Sequence, residues 1–224
     1  MTARVLLSWS SGKDSAWALH RLRQQAELEV VGLLTTFNSA AARVAMHAVR
    51  ESLVIAQATA TGLPLWPVAL PYPCNNDQYA DIMRAVIHRA LAAGITHLAF
   101  GDLFLEDIRA YRETMLADSG ITPVFPLWGS AADTPALARE MLAGGLRAVL
   151  TCVDPNQLPA AYSGRYYDAA LLAALPVTVD PCGENGEFHT YCFAGPMFAH
   201  DIAITIGEQV TRDGFCFTDV MGVT

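Results

Sequence analysis

The sequence predicts an α/β protein: a parallel sheet sandwiched by helices, followed by a smaller C-terminal α+β region. Three observations predict it. Short apolar runs alternate with amphipathic stretches from residue 4 to residue 153, the sign of parallel strands joined by right-handed helical crossovers. Polar clusters at residues 10–15, 35–38, 101–102 and 154–156 each follow a strand-like run, where open α/β sheets bind ligands. Beyond about residue 155 the rhythm gives way to loops with Pro, Gly and Tyr, and to shorter strand-like runs.

Each element has a local reason. Residues 4–8 (Arg-Val-Leu-Leu-Ser) make a short buried-strand run. Residues 14 to about 24 read as a helix with Ala16, Leu19 and Leu22 on one face. A Val- and Leu-rich strand spans 29–36. The next helix is expected over about 44–61, with Val49, Leu53, Ala56 and Ala60 at helical spacing and Gly62 and Pro64 as its stop. Pro67 lacks an N–H, which puts strand 65–70 at a sheet edge. A helix over 77–93 ends at Gly94; strand 97–100, helix 106–118, closed by Gly120, and strand 122–125 follow. Thr134 as N-cap and Pro135 at the first helical position open a helix that stops at Gly144-Gly145. Strand 146–153 and a short helix near 167–174 complete the pattern.

Composition narrows the function. Of 224 residues 53% are hydrophobic and mean hydropathy is +0.29, which excludes disorder. No stretch approaches the ~20 apolar residues of a membrane span, and the apolar run at 5–7 is cut short before it could act as a leader. A soluble cytoplasmic protein with no membrane partner is expected; the apolar composition is compatible with a homodimer. A net charge of −8 argues against a phosphate-tracking surface, so nucleic acid is not an expected partner. Cys74, Cys152, Cys182, Cys192 and Cys216 form no C-x-x-C pair, and reduced, incidental thiols are expected.

Three segments carry chemistry. Ser10, Ser11, Gly12, Lys13, Asp14 and Ser15 lie between a strand and a helix N-terminus, a natural anion cradle. Lys13 is the only lysine among 14 basic residues. The segment is not a Walker A loop, because Asp14 follows the Gly-Lys pair, and a carboxylate beside phosphates calls for a bridging Mg²⁺. An ordinary N-cap turn is the alternative. The second segment is Gly183-Glu184-Asn185-Gly186-Glu187-Phe188-His189-Thr190. If it is extended, Glu187 and His189 share one side, a pair suited to moving a proton or orienting an amine; a solvated hairpin is the alternative. The third runs from Gly101-Asp102 through Glu106, Arg109, Arg112 and Glu113, where the arginines either face a ligand or pair along their own helix. Asn38 and His47 are weaker pointers. His20, His88, His97 and His200 read as ordinary polar or packed residues.

Leu6-Leu7-Ser8-Trp9-Ser10-Ser11-Gly12-Lys13-Asp14-Ser15 resembles the S-G-G-x-D-S loop of the PP-loop ATP pyrophosphatase superfamily. With Gly101-Asp102, Pro126-Leu127-Trp128 and residues 183–190, the chain resembles the diphthine–ammonia ligase family, and Thr35-Thr36-Phe37-Asn38 and residues 102–109 resemble its bacterial relatives. It departs from the loop pattern at Ser11, where the superfamily has glycine. The resemblance implies a Rossmann-like PP-loop ATP-binding domain over residues 1–125 and a substrate region over 126–224. It implies ATP cleavage between the α and β phosphates, with residues 10–15, Thr36, Gly101 and Asp102 binding the nucleotide and Asp14 holding Mg²⁺. A substrate carboxylate is adenylated and then amidated by ammonia. Lys13, Glu184, Glu187 and His189 are the implied catalytic residues, and Asn185, Glu106, Arg109 and Arg112 the substrate-binding ones. The family substrate, diphthine, is confined to archaea and eukaryotes, so a small-molecule carboxylate stands beside a protein one. Two other readings stay open. One is a tRNA-modifying PP-loop enzyme, disfavoured by the acidic balance. The other is a nucleotide-binding module without turnover, favoured by Ser11.

Overall fold

The computed structural model describes residues 2–38, 43–44 and 49–223. It is a mixed α/β structure with a mostly parallel sheet flanked by helices and a second, antiparallel sheet. Strand β1 (Ala3–Ser8) leads into helix α1 (Lys13–Leu22), and β2 (Leu28–Asn38) returns parallel to β1. The short β3 (Arg43–Val44) pairs antiparallel with Phe37 and Asn38. Helix α2 (Glu51–Thr61) then leads to β4 (Leu65–Leu70), parallel to the far side of β2. Helix α3 (Asn76–Ala92), β5 (His97–Ala99), α4 (Glu106–Leu116) and β6 (Thr122–Val124) extend the sheet the other way, with β5 beside β1.

The parallel strands therefore run β4-β2-β1-β5-β6. The order reverses between β1 and β5, which opens a crevice beyond their carboxyl ends. Pro67 sits in β4, which has β2 as its one strand neighbour among the described residues, so its missing donor disturbs no second ladder. Alternate residues of each strand feed opposite faces. Val5, Leu7 and Leu33 pack with α1 and α2, whereas Leu6, Leu34 and Leu98 pack with Met83 and Ile87 of α3 and Leu116 of α4.

Helix α5 (Thr134–Ala143) is followed by β7 (Arg147–Val153). The alternating pattern places this strand with the parallel set, but it is the centre of the antiparallel sheet. It pairs with β8 (Tyr166–Tyr167), β9 (Phe188–Ala194) and β11 (Phe215–Gly222), and β11 pairs in turn with β10 (Ile204–Arg212). Helix α6 (Ala169–Ala174) lies between β8 and β9. The buried side chains of β7 and β9 share one continuous core with α1 and α2, so the second sheet is anchored directly over the first helix.

Beyond shifts of one or two residues at several ends, two helix N-caps differ from the sequence expectation. Helix α2 starts at Glu51 rather than near residue 44, because Val44 is paired in β3 and Arg50 is extended at its N-cap. Helix α5 takes Asp133 as its N-cap instead of Thr134, whose hydroxyl turns to Asp180. No helix among the described residues is long and apolar enough to cross a membrane. All five cysteines are free, and burial pushes the Cys152 and Cys182 thiols up to about 12, so they are inert at neutral pH.

Candidate active site

The loop after β1 and the loop after β5 meet at the reversal of strand order. Ser11 enters the turn with φ +70°, a left-handed backbone that favours glycine. Its Oγ is buried without a hydrogen-bond partner. Gly12 caps α1 with no side chain, so the first-turn N–H groups have no side-chain cap from the N-cap residue. The Lys13 N–H donates to Thr190 Oγ1 at 3.1 Å. Gly101 lies against this turn: a Cβ there would meet Ser15 N at 3.0 Å and the Asp14 carbonyl carbon at 3.1 Å. Only glycine lets the two loops approach this closely.

A cavity of about 230 Å³ opens at this junction, lined by Ser10, Gly12, Lys13, Asp14, Ser15, Gly101, Asp102 and Arg112. Gly183, Glu184, Gly186, Phe188, His189 and Thr190 close it from the antiparallel-sheet side. A second cavity of about 410 Å³ shares Ser8, Ser10, Phe100 and Arg112 with the first and is walled by Leu34, Thr36, Val44, Leu70, Tyr79 and Met83. A polar chamber and a largely apolar one therefore adjoin along Arg112.

Lys13 is not the exposed ammonium that a Ser/Gly loop suggests. It is 2% exposed. Its Nζ donates to Asp14 Oδ1 and Oδ2 at 2.9 and 2.8 Å and to the Cys182 carbonyl. The rings of Tyr167 and Phe188 lie 5.7 and 5.5 Å from it. Burial works to lower its pKa, but Asp14, with smaller help from Cys182 and Glu184, offsets that and the group stays above the ordinary lysine value. Lys13 is thus a charged tether between the loop and the C-terminal segment.

Glu184 Oε1 accepts from the Leu103 N–H at 2.7 Å, joining residues 183–190 to the loop after β5. Burial pushes its carboxyl up to about 7, with Asp14 and Asp102 adding to the rise. Asp102 is also raised by burial, partly offset by Arg112, whose Nε is 3.4 Å from its Oδ2. The Arg112 guanidinium lies over the Phe100 ring at 4.9 Å, a cation–π contact.

Two family models match this sequence: the diphthamide synthase N-terminal domain over residues 3–123 and the diphthamide synthase C-terminal domain over residues 133–221. The chain belongs to the diphthamide synthase family. Curated relatives of this diphthamide synthase family member include diphthine–ammonia ligases of Danio rerio, 26% identical over 153 residues, and Rattus norvegicus, 23% identical over 152 residues. Each alignment covers 66% of this chain, and 59% and 56% of those proteins, so the chain spans less than two thirds of their length.

Within this diphthamide synthase family member, the residues singled out from sequence divide into two groups. Ser10, Gly12, Lys13, Asp14, Ser15, Gly101, Asp102, Arg112, Glu184 and His189 line the polar chamber, and Thr36 lines its apolar neighbour. Ser11 lies behind the loop. Glu187 is 1% exposed and turned into its own loop, accepting from the Asp180 N–H at 2.8 Å and from Asn185 Nδ2 at 3.0 Å. The expected sharing of one side by Glu187 and His189 fails because β9 begins only at Phe188. Asn185 is exposed and belongs to that same loop lock. Glu106 is exposed in the first turn of α4, and Arg109 pairs with Glu113 at 2.8 Å while lying over Phe125 and Trp128. These four stand outside the cavities. His47 lies outside the described residues.

Sequence reading missed Gln57, which is 0% exposed and bonded behind the loop, and assigned no role to Thr190. Gln57 carried a signal: it stands one helical turn after Leu53, a polar residue at a core-facing position.

Proposed function

We propose that this chain is an ATP-dependent ligase that adenylates a carboxylate, releases pyrophosphate, and passes the acyl group to ammonia. The observation that carries the reading is the junction of a helix N-terminus whose N-cap, Gly12, supplies no side-chain acceptor with a cavity that Gly101 keeps open, at the reversal of strand order. Helix N-termini bind phosphate through unpaired N–H groups and the positive end of the dipole. The β,γ-phosphates fit the polar chamber and the nucleoside fits the apolar one, with Thr36 at its wall. This leaves the α-phosphate at the junction, beside Arg112. The division of labour is a nucleotide-binding part over residues 1–125 and a substrate part over residues 126–224.

The chamber also fits a magnesium nucleotide. Asp14, Asp102 and Glu184 present hard carboxylate oxygens, and the ammonium of Lys13 is already committed to Asp14. Mg²⁺ binds through one or two carboxylates plus substrate phosphates. Asp14 is the residue we assign to it; the ion's chemistry is to neutralise charge on the leaving pyrophosphate.

The remaining work falls to side chains. Arg112 orients the α-phosphate and offsets its charge as the substrate carboxylate oxygen attacks phosphorus and the bond to the bridging oxygen breaks. Ammonium must lose a proton before its nitrogen attacks the acyl carbon and AMP departs. Glu184 and His189 both line the chamber, and Glu184, whose carboxyl is raised to about 7, is placed with His189 to take it. Ser11 keeps its place outside the phosphate contacts, so its Cβ does not obstruct the chamber.

The test is product analysis with ATP labelled in the α and γ phosphates, Mg²⁺, ammonium and a panel of carboxylic acids. Formation of AMP and pyrophosphate that requires both acid and ammonium supports the reading. ADP and orthophosphate as products would overturn it.

A further inference from the structure

A fully buried amide stands behind the phosphate loop. Gln57 of α2 is 0% exposed on the apolar face of its helix, where an unpaired amide would be costly. Both of its N–H donors and one lone pair of its oxygen are used. Its Oε1 accepts from Trp9 Nε1 at 2.8 Å. Its Nε2 donates to the carbonyls of Ser11 at 3.0 Å and Cys192 at 2.6 Å. The orientation is fixed by chemistry, because an indole N–H can only donate and two carbonyls can only accept. The Cys192 N–H donates to the same Ser11 carbonyl at 2.9 Å.

The Ser11 carbonyl is therefore held toward the core by two donors from α2 and β9. In a trans peptide the C=O and the following N–H point opposite ways. With the Ser11 oxygen held inward, the Gly12 N–H faces the cavity, where its present acceptor is Ser10 Oγ at a long 3.4 Å. Ser11 holds this peptide from a left-handed φ of +70°.

We infer that Gln57 is a positioning residue for anion binding: by fixing the Ser11–Gly12 peptide, it aims the Gly12 N–H at a bound pyrophosphate group. The inference rests on the proposed function, since it takes the cavity as the seat of the β,γ-phosphates. Gln57 never touches the ligand, so its effect is selective. A ligand bearing the pyrophosphate group feels it, and a nucleoside monophosphate seated chiefly in the apolar chamber does not.

The experiment is calorimetric titration of the full chain with magnesium pyrophosphate and, separately, with AMP. It compares the unmodified protein, Gln57→Met, and Gln57→Asn, which keeps an amide but shortens its reach from α2; Trp9, which lines the apolar chamber, is left unchanged. The expected result for Gln57→Met is pyrophosphate binding weakened at least tenfold with AMP binding changed less than threefold. Gln57→Asn shifts the same ratio in the same direction by about threefold and serves alone if Gln57→Met does not fold. A ratio unchanged in Gln57→Asn, or parallel losses for both ligands in Gln57→Met, would overturn the inference while leaving the nucleotide reading intact. Failure of the unmodified protein to bind either ligand would instead overturn the nucleotide reading, and the inference with it.

Discussion

Replacing Glu184 by glutamine isolates the electrostatics of the polar chamber. The amide keeps an oxygen for the Leu103 N–H, so the loop connection survives, while the charge beside Asp14 and Asp102 is removed. Burial raises the Glu184 carboxyl from its ordinary 4.5 to about 7. Between those values the folded chain holds a proton that the unfolded chain has released. Stability from this group is thus present below pH 4.5 and lost as pH rises through 7. The full loss corresponds to about 3 kcal/mol, an upper figure because water reaches the partly buried carboxylate. Urea unfolding of both proteins at pH 5 and pH 8 reads it. The unmodified protein should lose about 2 kcal/mol relative to Glu184→Gln over that interval, and comparison of the two cancels the titration of other groups. Parallel stabilities at both pH values would refute the assignment of a desolvated carboxyl, raised by burial, to the chamber wall.

Lys13→Met should cost about 3 kcal/mol of stability, near the low end for breaking a buried ion pair because the Asp14 side chain is 26% exposed. Its chemical denaturation midpoint should fall accordingly, whereas an exposed loop lysine would leave it unchanged. Ser11→Gly should stabilise the fold by about 1 kcal/mol, relieving the left-handed backbone and removing an orphan hydroxyl, and thermal unfolding measures the gain. An equal or lower Tm would show that the turn carries no strain. Gly101→Ala should weaken ATP binding at least tenfold, since the new methyl falls 3.0 Å from Ser15 N; affinity equal to that of the unmodified protein in calorimetry would count against the cradle.

The parts of the fold set by local chemistry were legible in the sequence. Apolar runs, glycine stops and Pro67 placed the strands and helices of the parallel sheet, and the crossover rule brought residues 10–15 beside Gly101 and Asp102. What escaped depends on partners far along the chain. Lys13 is enclosed by Tyr167, Cys182 and Phe188, more than 150 residues downstream, so nothing local distinguishes it from an exposed loop lysine. Strand β7 has the apolar pattern of a parallel strand, and only its antiparallel partners assign it elsewhere. Glu187 and Glu184 share one loop and one residue type. The turn between them sends Glu184 to the chamber wall while Glu187 locks the loop that carries both. The Arg109–Glu113 pair is one of the two arrangements the sequence left open for this face, since i,i+4 pairing is a local relation.

The most direct measurement is a crystal structure with the non-hydrolysable α,β-methylene analogue of ATP and Mg²⁺. The account predicts β- and γ-phosphate oxygens on the first turn of α1, within hydrogen-bond distance of the Gly12 and Ser15 amides, with Lys13 still on Asp14. Phosphates seated away from this helix end, with the chamber between Gly101 and Glu184 holding only solvent, would contradict it.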